Sequence, residues 1–255
     1  MTKIGIQISS VRAYLQTPPD VLASFRKVSE IGYRAIQIQW IAPEVPGEFI
    51  RAALAETRLK CLGTQDYYHV VIPQLDEVAA LNDLWGSASI CVSGIPERYR
   101  SLQGCLEFVG ELNRLSEQLE RQGKVLAFHP RNVDVIWWGG ENSLDVIRER
   151  TRPEMQFCLD VYQYVRAGLD PVEWLHKLQG RVDLVHFKDG KPGPDGKDLL
   201  MPVGQGKIDW QPIFQACHDT GVKYGLVEQE TWHKDAFECL KEGFEFCVKN
   251  GIEPD

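Results

Sequence analysis

Four short apolar runs of this chain each close on a side chain able to hold a metal: Ala127-Phe128-His129, Cys158-Leu159-Asp160, Leu184-Val185-His186 and Leu226-Val227-Glu228. Taken singly, each is ordinary. A histidine or glutamate there serves equally as a satisfied rim residue or half of a salt bridge, and an aspartate can cap the next helix. Taken together they say more. Neighbouring parallel strands lie about 5 Å apart, so four inward-pointing strand ends can converge on one ion at ligand distances of roughly 2 to 2.4 Å. Two imidazoles and two carboxylates suit a single divalent metal, Mn foremost, with Fe, Co, Zn or Mg behind it. Ca, which prefers an all-oxygen shell, fits poorly.

The residues around these positions carry the complementary chemistry. Lys188 and Arg131 stand two places beyond His186 and His129, hence on the same side of their strands. Lys188 can neutralise a negative oxygen, hold a hydroxyl or close a rim salt bridge. Arg131 presents a fork suited to a carboxylate or phosphate and so hints at an acidic sugar. Glu228 is the leading general base as well as a ligand, with Glu230 the alternative. Gln7, Trp40, His69 and Trp138 are, with Arg131, the candidate substrate contacts, because amides read hydroxyls and aromatic faces stack on sugar C–H faces. Gln39, Asp66 and Trp137 are further candidates for the pocket wall, although ordinary packing accounts for each. His176, His218 and His233 fall in or beside predicted helices and are assigned no chemistry.

Such a set needs a scaffold that lines up strand ends. Apolar runs at 3–9, 35–40, 60–64, 88–93, 124–129, 155–160, 182–187 and 224–228 alternate with amphipathic stretches at 19–31, 46–56, 74–84, 102–122, 143–150, 171–178, 210–220 and 234–250. Glycines 32, 123, 221 and 251 punctuate helix ends, and Asp170-Pro171 opens a helix. Eight βα units joined by right-handed crossovers predict one (β/α)8 barrel of the TIM type spanning residues 1–255. A doubly wound open sheet is the alternative. The Gly190 to Gly206 stretch is predicted to be a loop.

Composition narrows the function. The 255 residues are 44% hydrophobic and 25% charged with a net charge of −8, enough apolar matter for a large core and no basic stripe for nucleic acid. The longest apolar runs are too short to span a membrane, and Met1-Thr2-Lys3 leads into a strand, so a cytoplasmic protein is predicted. Seven scattered cysteines without a Cys-x-x-Cys pair read as reduced, buried thiols.

Longer motifs carry a resemblance. Lys3-Ile4-Gly5-Ile6-Gln7-Ile8-Ser9-Ser10-Val11-Arg12 with Glu30-Ile31-Gly32-Tyr33, then Leu159-Asp160-Val161-Tyr162, Gly168-Leu169-Asp170-Pro171, Gly180-Arg181, Val185-His186-Phe187-Lys188-Asp189, Gly204-Gln205-Gly206-Lys207-Ile208-Asp209-Trp210 and Val227-Glu228-Gln229-Glu230 occur in order along nearly the whole chain. In type and spacing they resemble the xylose-isomerase-like superfamily of sugar isomerases, epimerases and dehydratases. Phe128-His129-Pro130-Arg131-Asn132-Val133-Asp134-Val135 is similar in part to a segment those proteins often write Tyr-His-Asn-His-x-Phe-Glu-Phe.

The resemblance implies a metal on His129, Asp160, His186 and Glu228, a sugar or polyol substrate, and in many relatives a homo-oligomer. Three departures stand out: His129 replaces a glutamate that serves ketose 3-epimerases as ligand and base, Arg131 replaces a histidine, and Asp134 replaces a glutamate. The function implied is isomerisation or epimerisation of a keto-sugar, keto-inositol or related polyol through an enediolate. The alternatives are a lyase, either an inosose-type dehydratase or an eliminase of 3-keto-glycosides, and a non-catalytic sugar-binding barrel. Phosphodiester hydrolysis, known in the same superfamily, needs more histidines and carboxylates than this chain offers.

Overall fold

The structure, a computed structural model, describes residues 1–193 and 197–255. Eight parallel strands run in sequence around a closed barrel: β1 (Lys3–Gln7), β2 (Ala35–Ile38), β3 (Lys60–Tyr67), β4 (Ser89–Ser93), β5 (Val125–His129), β6 (Gln156–Asp160), β7 (Leu184–Phe187) and β8 (Tyr224–Val227). The ring closes where β8 pairs with β1, Lys3 beside Tyr224 and Ile6 beside Val227. No barrel strand is left as an unpaired edge.

The main helices after successive strands are α1 (Pro18–Ile31), α2 (Gly47–Thr57), α3 (Leu75–Leu84), α4 (Leu102–Glu120), α5 (Ser143–Arg150), α6 (Pro171–Lys177), α7 (Trp210–Thr220) and α8 (Ala236–Lys249). Local chemistry sets their starts. The Thr17 and Ser101 hydroxyls accept the backbone N–H of Asp20 and Gly104, and the Asp170 carboxylate accepts that of Val172. On α4, Cys105, Phe108, Val109, Leu112, Ser116 and Leu119 form the buried face, the spacing of a helix laid on a sheet.

The predicted (β/α)8 barrel is what the chain forms, and the predicted strands and helices agree with it to within a few residues. Gly190 to Gly206 departs from the expected loop. Part of it is an antiparallel ribbon in which Asp189–Pro192 pairs with Asp198–Met201; positions 194–196 lie outside the described residues. Glycine and proline disguised the ribbon, because its pairing uses backbone rather than an alternating apolar face. The segment beyond it is gathered by the fully buried Asp189, whose carboxylate accepts the N–H groups of Gly204, Gly206 and Trp210 Nε1. A Cβ on residue 206 would lie 1.9 Å from that carboxylate, so only glycine fits there.

Two-residue periodicity makes the barrel interior a stack of unlike layers. Ala35, Cys91, Ala127, Cys158, Leu184, Tyr224 and Leu226 form one apolar cluster. Two residues further along five of these strands come Ser93, His129, Asp160, His186 and Glu228, all buried. Apolar side chains low in the barrel thus support a polar layer at the C-terminal ends, the face where barrels of this type place their chemistry. All seven cysteines are buried and free, as expected.

Candidate metal centre

Each of the four strand-end residues is pinned by one atom and leaves the other without a hydrogen-bond partner. His129 Nδ1 lies 3.0 Å from Ser93 Oγ, and its Nε2 is buried and unpartnered. Asp160 Oδ1 accepts the backbone N–H of Gln163 at 2.9 Å, capping the short helix Val161–Arg166, and its Oδ2 is unpartnered. His186 Nε2 lies 2.7 Å from Gln37 Oε1 and leaves Nδ1; Glu228 Oε1 lies 3.5 Å from Ser9 Oγ and leaves Oε2. The cap role and a ligand role of Asp160 are therefore not rivals, since they use different oxygens.

The unpartnered atoms face one another. His129, Asp160 and His186 offer ligand atoms that all lie within 4.8 Å of each other, a group able to hold a metal ion. Glu228 Oε2 lies 3.1 Å from His186 Nδ1, and His129 Nε2 lies 3.8 Å from Asp160 Oδ2. Buried polar atoms are normally hydrogen-bonded, and each orphan costs roughly 1 to 3 kcal/mol. Three residues thus form a group able to take a cation, with Glu228 Oε2 beside it, and a donor set of two nitrogens and two oxygens would suit a first-row divalent metal.

Lys188 controls the charge. It is 4% exposed, with Nζ 2.7 Å from Glu230, 3.6 Å from Glu228 and 3.8 Å from Asp160. Burial by itself lowers the ammonium's pKa, but Glu228, Asp160 and Glu230 outweigh it and raise Lys188 above its ordinary value. Burial likewise disfavours the ionised Glu228, yet Lys188 and His186 hold that carboxyl well below the usual range. Lys188 is thus a fixed cation and Glu228 a fixed anion.

The remaining predicted contacts separate into groups. Gln7 is fully buried and donates to Gln37 Oε1 at 2.8 Å, so it braces the His186 partner. Tyr67, His69, Ser93 and Arg131 line one cavity. Trp40, Gln39 and Asp66 line another that reaches between α2 and α3. Trp40 has φ +57, an unusual conformation for a bulky residue. Trp138 packs half-buried on the hydrophobic core, and Trp137 is 56% exposed. Among the described residues, neither makes a hydrogen bond or ring contact with the four-residue centre.

Two positioning residues escaped the sequence reading. Gln37 and Ser93 orient His186 and His129, and both carried the signal used for the ligands, a polar residue on an apolar strand with inward parity. Asp134, which the sequence offers only as a replacement for a family glutamate, is fully buried and accepts from Ile95 N, Arg131 N, Arg131 Nε and Arg100 Nη2. Its burial could not be read from a loop sequence.

A closed parallel barrel with a buried polar ring at the C-terminal strand ends defines a TIM-barrel protein with a candidate metal centre at its mouth. The chain belongs to the xylose isomerase-like TIM barrel family, whose model matches residues 25–249. Inosose dehydratase of Clostridium perfringens is 30% identical over 135 residues, covering 47% of this chain and 45% of that protein. The chain therefore spans about half the length of that relative in the match. A sugar phosphate isomerase/epimerase of Parabacteroides distasonis superposes with TM-score 0.81 at 20% identity, covering 98% of both chains. The probable 3-DHS dehydratase AsbF of Bacillus anthracis superposes with TM-score 0.74 at 16% identity over 98% of this chain and 100% of that one. These two likenesses are of fold. No described helix is long and apolar enough to cross a membrane.

Proposed function

We propose that the chain is a divalent-metal-dependent enzyme that removes a proton next to the carbonyl of a keto-sugar, keto-inositol or related polyol, and that it isomerises or epimerises this substrate. The observation that carries the reading is the buried group of His129, Asp160 and His186, whose ligand atoms all lie within 4.8 Å of one another, with the unpartnered Glu228 Oε2 3.1 Å from His186 Nδ1. Those four residues would hold the metal. Bound there, a divalent ion, Mn foremost, supplies positive charge that polarises a carbonyl and an adjacent hydroxyl.

The chain's own residues supply the rest. Lys188, kept cationic by its acidic neighbours, faces negative charge developing on a substrate oxygen. Glu228, held ionised by Lys188 and His186, serves as ligand. Proton transfer falls to Glu230, which is one-quarter exposed and 2.7 Å from Lys188. The buried amides of Gln7 and Gln37 hold His186 in place.

A lyase is the second reading. It draws on the likeness to inosose dehydratase and on His129 standing where an opposing carboxylate base would complete a two-faced epimerase. With its carboxylate bases on one side, such a site can equally take a proton and expel a hydroxyl from the neighbouring carbon. The test is incubation of Mn-loaded protein with ketoses and inososes in D2O, followed by NMR and mass spectrometry. Deuterium next to the carbonyl in an isomeric product supports isomerisation. A dehydrated, ultraviolet-absorbing enone sinks it in favour of the lyase, and neither exchange nor metal binding leaves a non-catalytic barrel.

A further inference from the structure

We infer that a cavity beside the metal centre receives an anionic group of the substrate, a carboxylate or phosphate carried on the polyol, with Arg131 as the fork that binds it. This rests on reading the barrel mouth as a site for sugar-like molecules. The cavity has a volume of 290 Å³, and Tyr67, His69, Ser93, Gly94, Arg100 and Arg131 contribute to its wall. It abuts the centre directly: Ser93 Oγ lies 3.0 Å from His129 Nδ1, and the Gly94 N–H donates to the His129 carbonyl at 3.1 Å.

Arg131 is held ready before any ligand arrives. Asp134 accepts its Nε–H at 3.2 Å and its Nη2–H at 3.3 Å. The Tyr67 ring centroid lies 5.5 Å from its Cζ. Gly94, at φ +82, gives it room, for a Cβ there would lie 2.8 Å from Nη2 and 2.9 Å from Cζ. One edge of the guanidinium is thus locked, while among the described residues Nη1 meets no acceptor and the side chain stays 32% exposed. A guanidinium fixed in this way loses little freedom on binding a planar anion.

The charges around the cavity are paired, and what is left for an anion is the open edge of Arg131. Arg100 also donates to Asp134, at 3.0 Å, so two guanidinium groups share one fully buried carboxylate. Glu97, which also lines the cavity, approaches Arg100 Nε to 3.2 Å from a side chain 92% exposed, where water screens it.

The test uses three unreactive probes, D-glucitol, D-gluconate and D-glucitol 6-phosphate, titrated calorimetrically into full-length protein with and without Mn²⁺. At least one anion is expected to bind about tenfold or more tightly than glucitol, and the tighter of the two identifies carboxylate or phosphate as the source. Arg131→Gln should bring the anion down to the glucitol level while leaving glucitol binding and Mn²⁺-induced stabilisation unchanged. Should that variant not fold, Arg131→Lys, which keeps the charge and loses the fork, should lower the preference in part. Equal binding of all three probes, binding of none, or an unchanged preference in the variants overturns the proposal. Loss of the Mn²⁺ effect in the wild type instead defeats the metal reading, and the anion preference is scored separately from it.

Discussion

Gln37 Oε1 lies 2.7 Å from Nε2 of His186 while accepting the amide N–H of Gln7 at 2.8 Å. An acceptor already engaged by an amide takes the proton carried on Nε2, so Nδ1, the atom facing Glu228, is the nitrogen that would bind a metal; without one, burial lowers the pKa of His186 but Cys158 and Glu228 outweigh it, and Nδ1 keeps a proton that the metal would displace. A glutamine on β2 therefore selects the nitrogen that a ligand role on β7 requires. Replacing it should be felt at the metal. Gln37→Leu is expected to weaken Mn²⁺ affinity about 10- to 100-fold without unfolding the protein. Calorimetric titration measures this, and an unchanged affinity would show that His186 needs no such partner.

Metal should also stabilise the fold. Mn²⁺ at about a hundred times its dissociation constant contributes about 2.7 kcal/mol, which for a chain of this size raises the melting temperature by about 5 to 10 °C. EDTA should reverse the shift, and His186→Ala should abolish it. Differential scanning fluorimetry reads all three, and a His186→Ala protein that still responds to Mn²⁺ contradicts the assigned ligand set.

Proton transfer and metal binding should separate on two carboxylates. Glu230→Gln is expected to lower kcat by about 10² to 10⁴ with Mn²⁺ affinity little changed, whereas Glu228→Gln should lose the metal itself. Steady-state kinetics on the substrate found by NMR, paired with metal titration, distinguishes them. If Glu230→Gln retains full kcat, the base lies elsewhere.

Acid should weaken the metal-free protein partly through Glu228. Its folded pKa is lowered by Lys188 and His186 against the opposing effect of burial. The ionised form thus stabilises the fold above the ordinary carboxylate value of roughly 4.3, and this contribution is lost progressively as the pH falls below that value. The drop in urea midpoint between about pH 7 and about pH 4 should be smaller in Glu228→Gln than in wild type. Equal drops in the two proteins would count against the coupling.

Asp134 gathers two guanidinium groups and two backbone N–H groups while fully buried. Asp134→Ala should cost about 2 to 4 kcal/mol in urea melts, less than for a fully enclosed pair because both arginines reach water. A loss below about 1 kcal/mol would mean that the clamp is replaced by solvent.

The barrel and the four strand-end positions were legible from residue types alone, because two determinants of the fold are local. Strand periodicity alternates side chains between the inner and outer faces, so a polar residue closing Ala127-Phe128-His129 or Leu184-Val185-His186 shares its face with the apolar residue two places before it. Helix caps such as Thr17, Ser101 and Asp170 mark the connections, and right-handed crossovers leave few ways to join eight βα units. The glycine-rich ribbon after β7 has no such signature, because backbone pairing leaves no pattern in side chains.

Only the tertiary structure decided what holds the ligands and what charge they carry. Gln37, Ser93 and Ser9 meet His186, His129 and Glu228 from other strands or the segments that follow them, and Asp134 meets Arg100 from another loop; pairings so distant along the chain have no signature in spacing. Whether Lys188 stays cationic and Glu228 anionic depends on burial weighed against neighbours only a few ångströms away, and that balance exists only once the barrel has closed. The sequence thus determined which groups stand at the mouth, and the closed fold determined which of their atoms remain free to act.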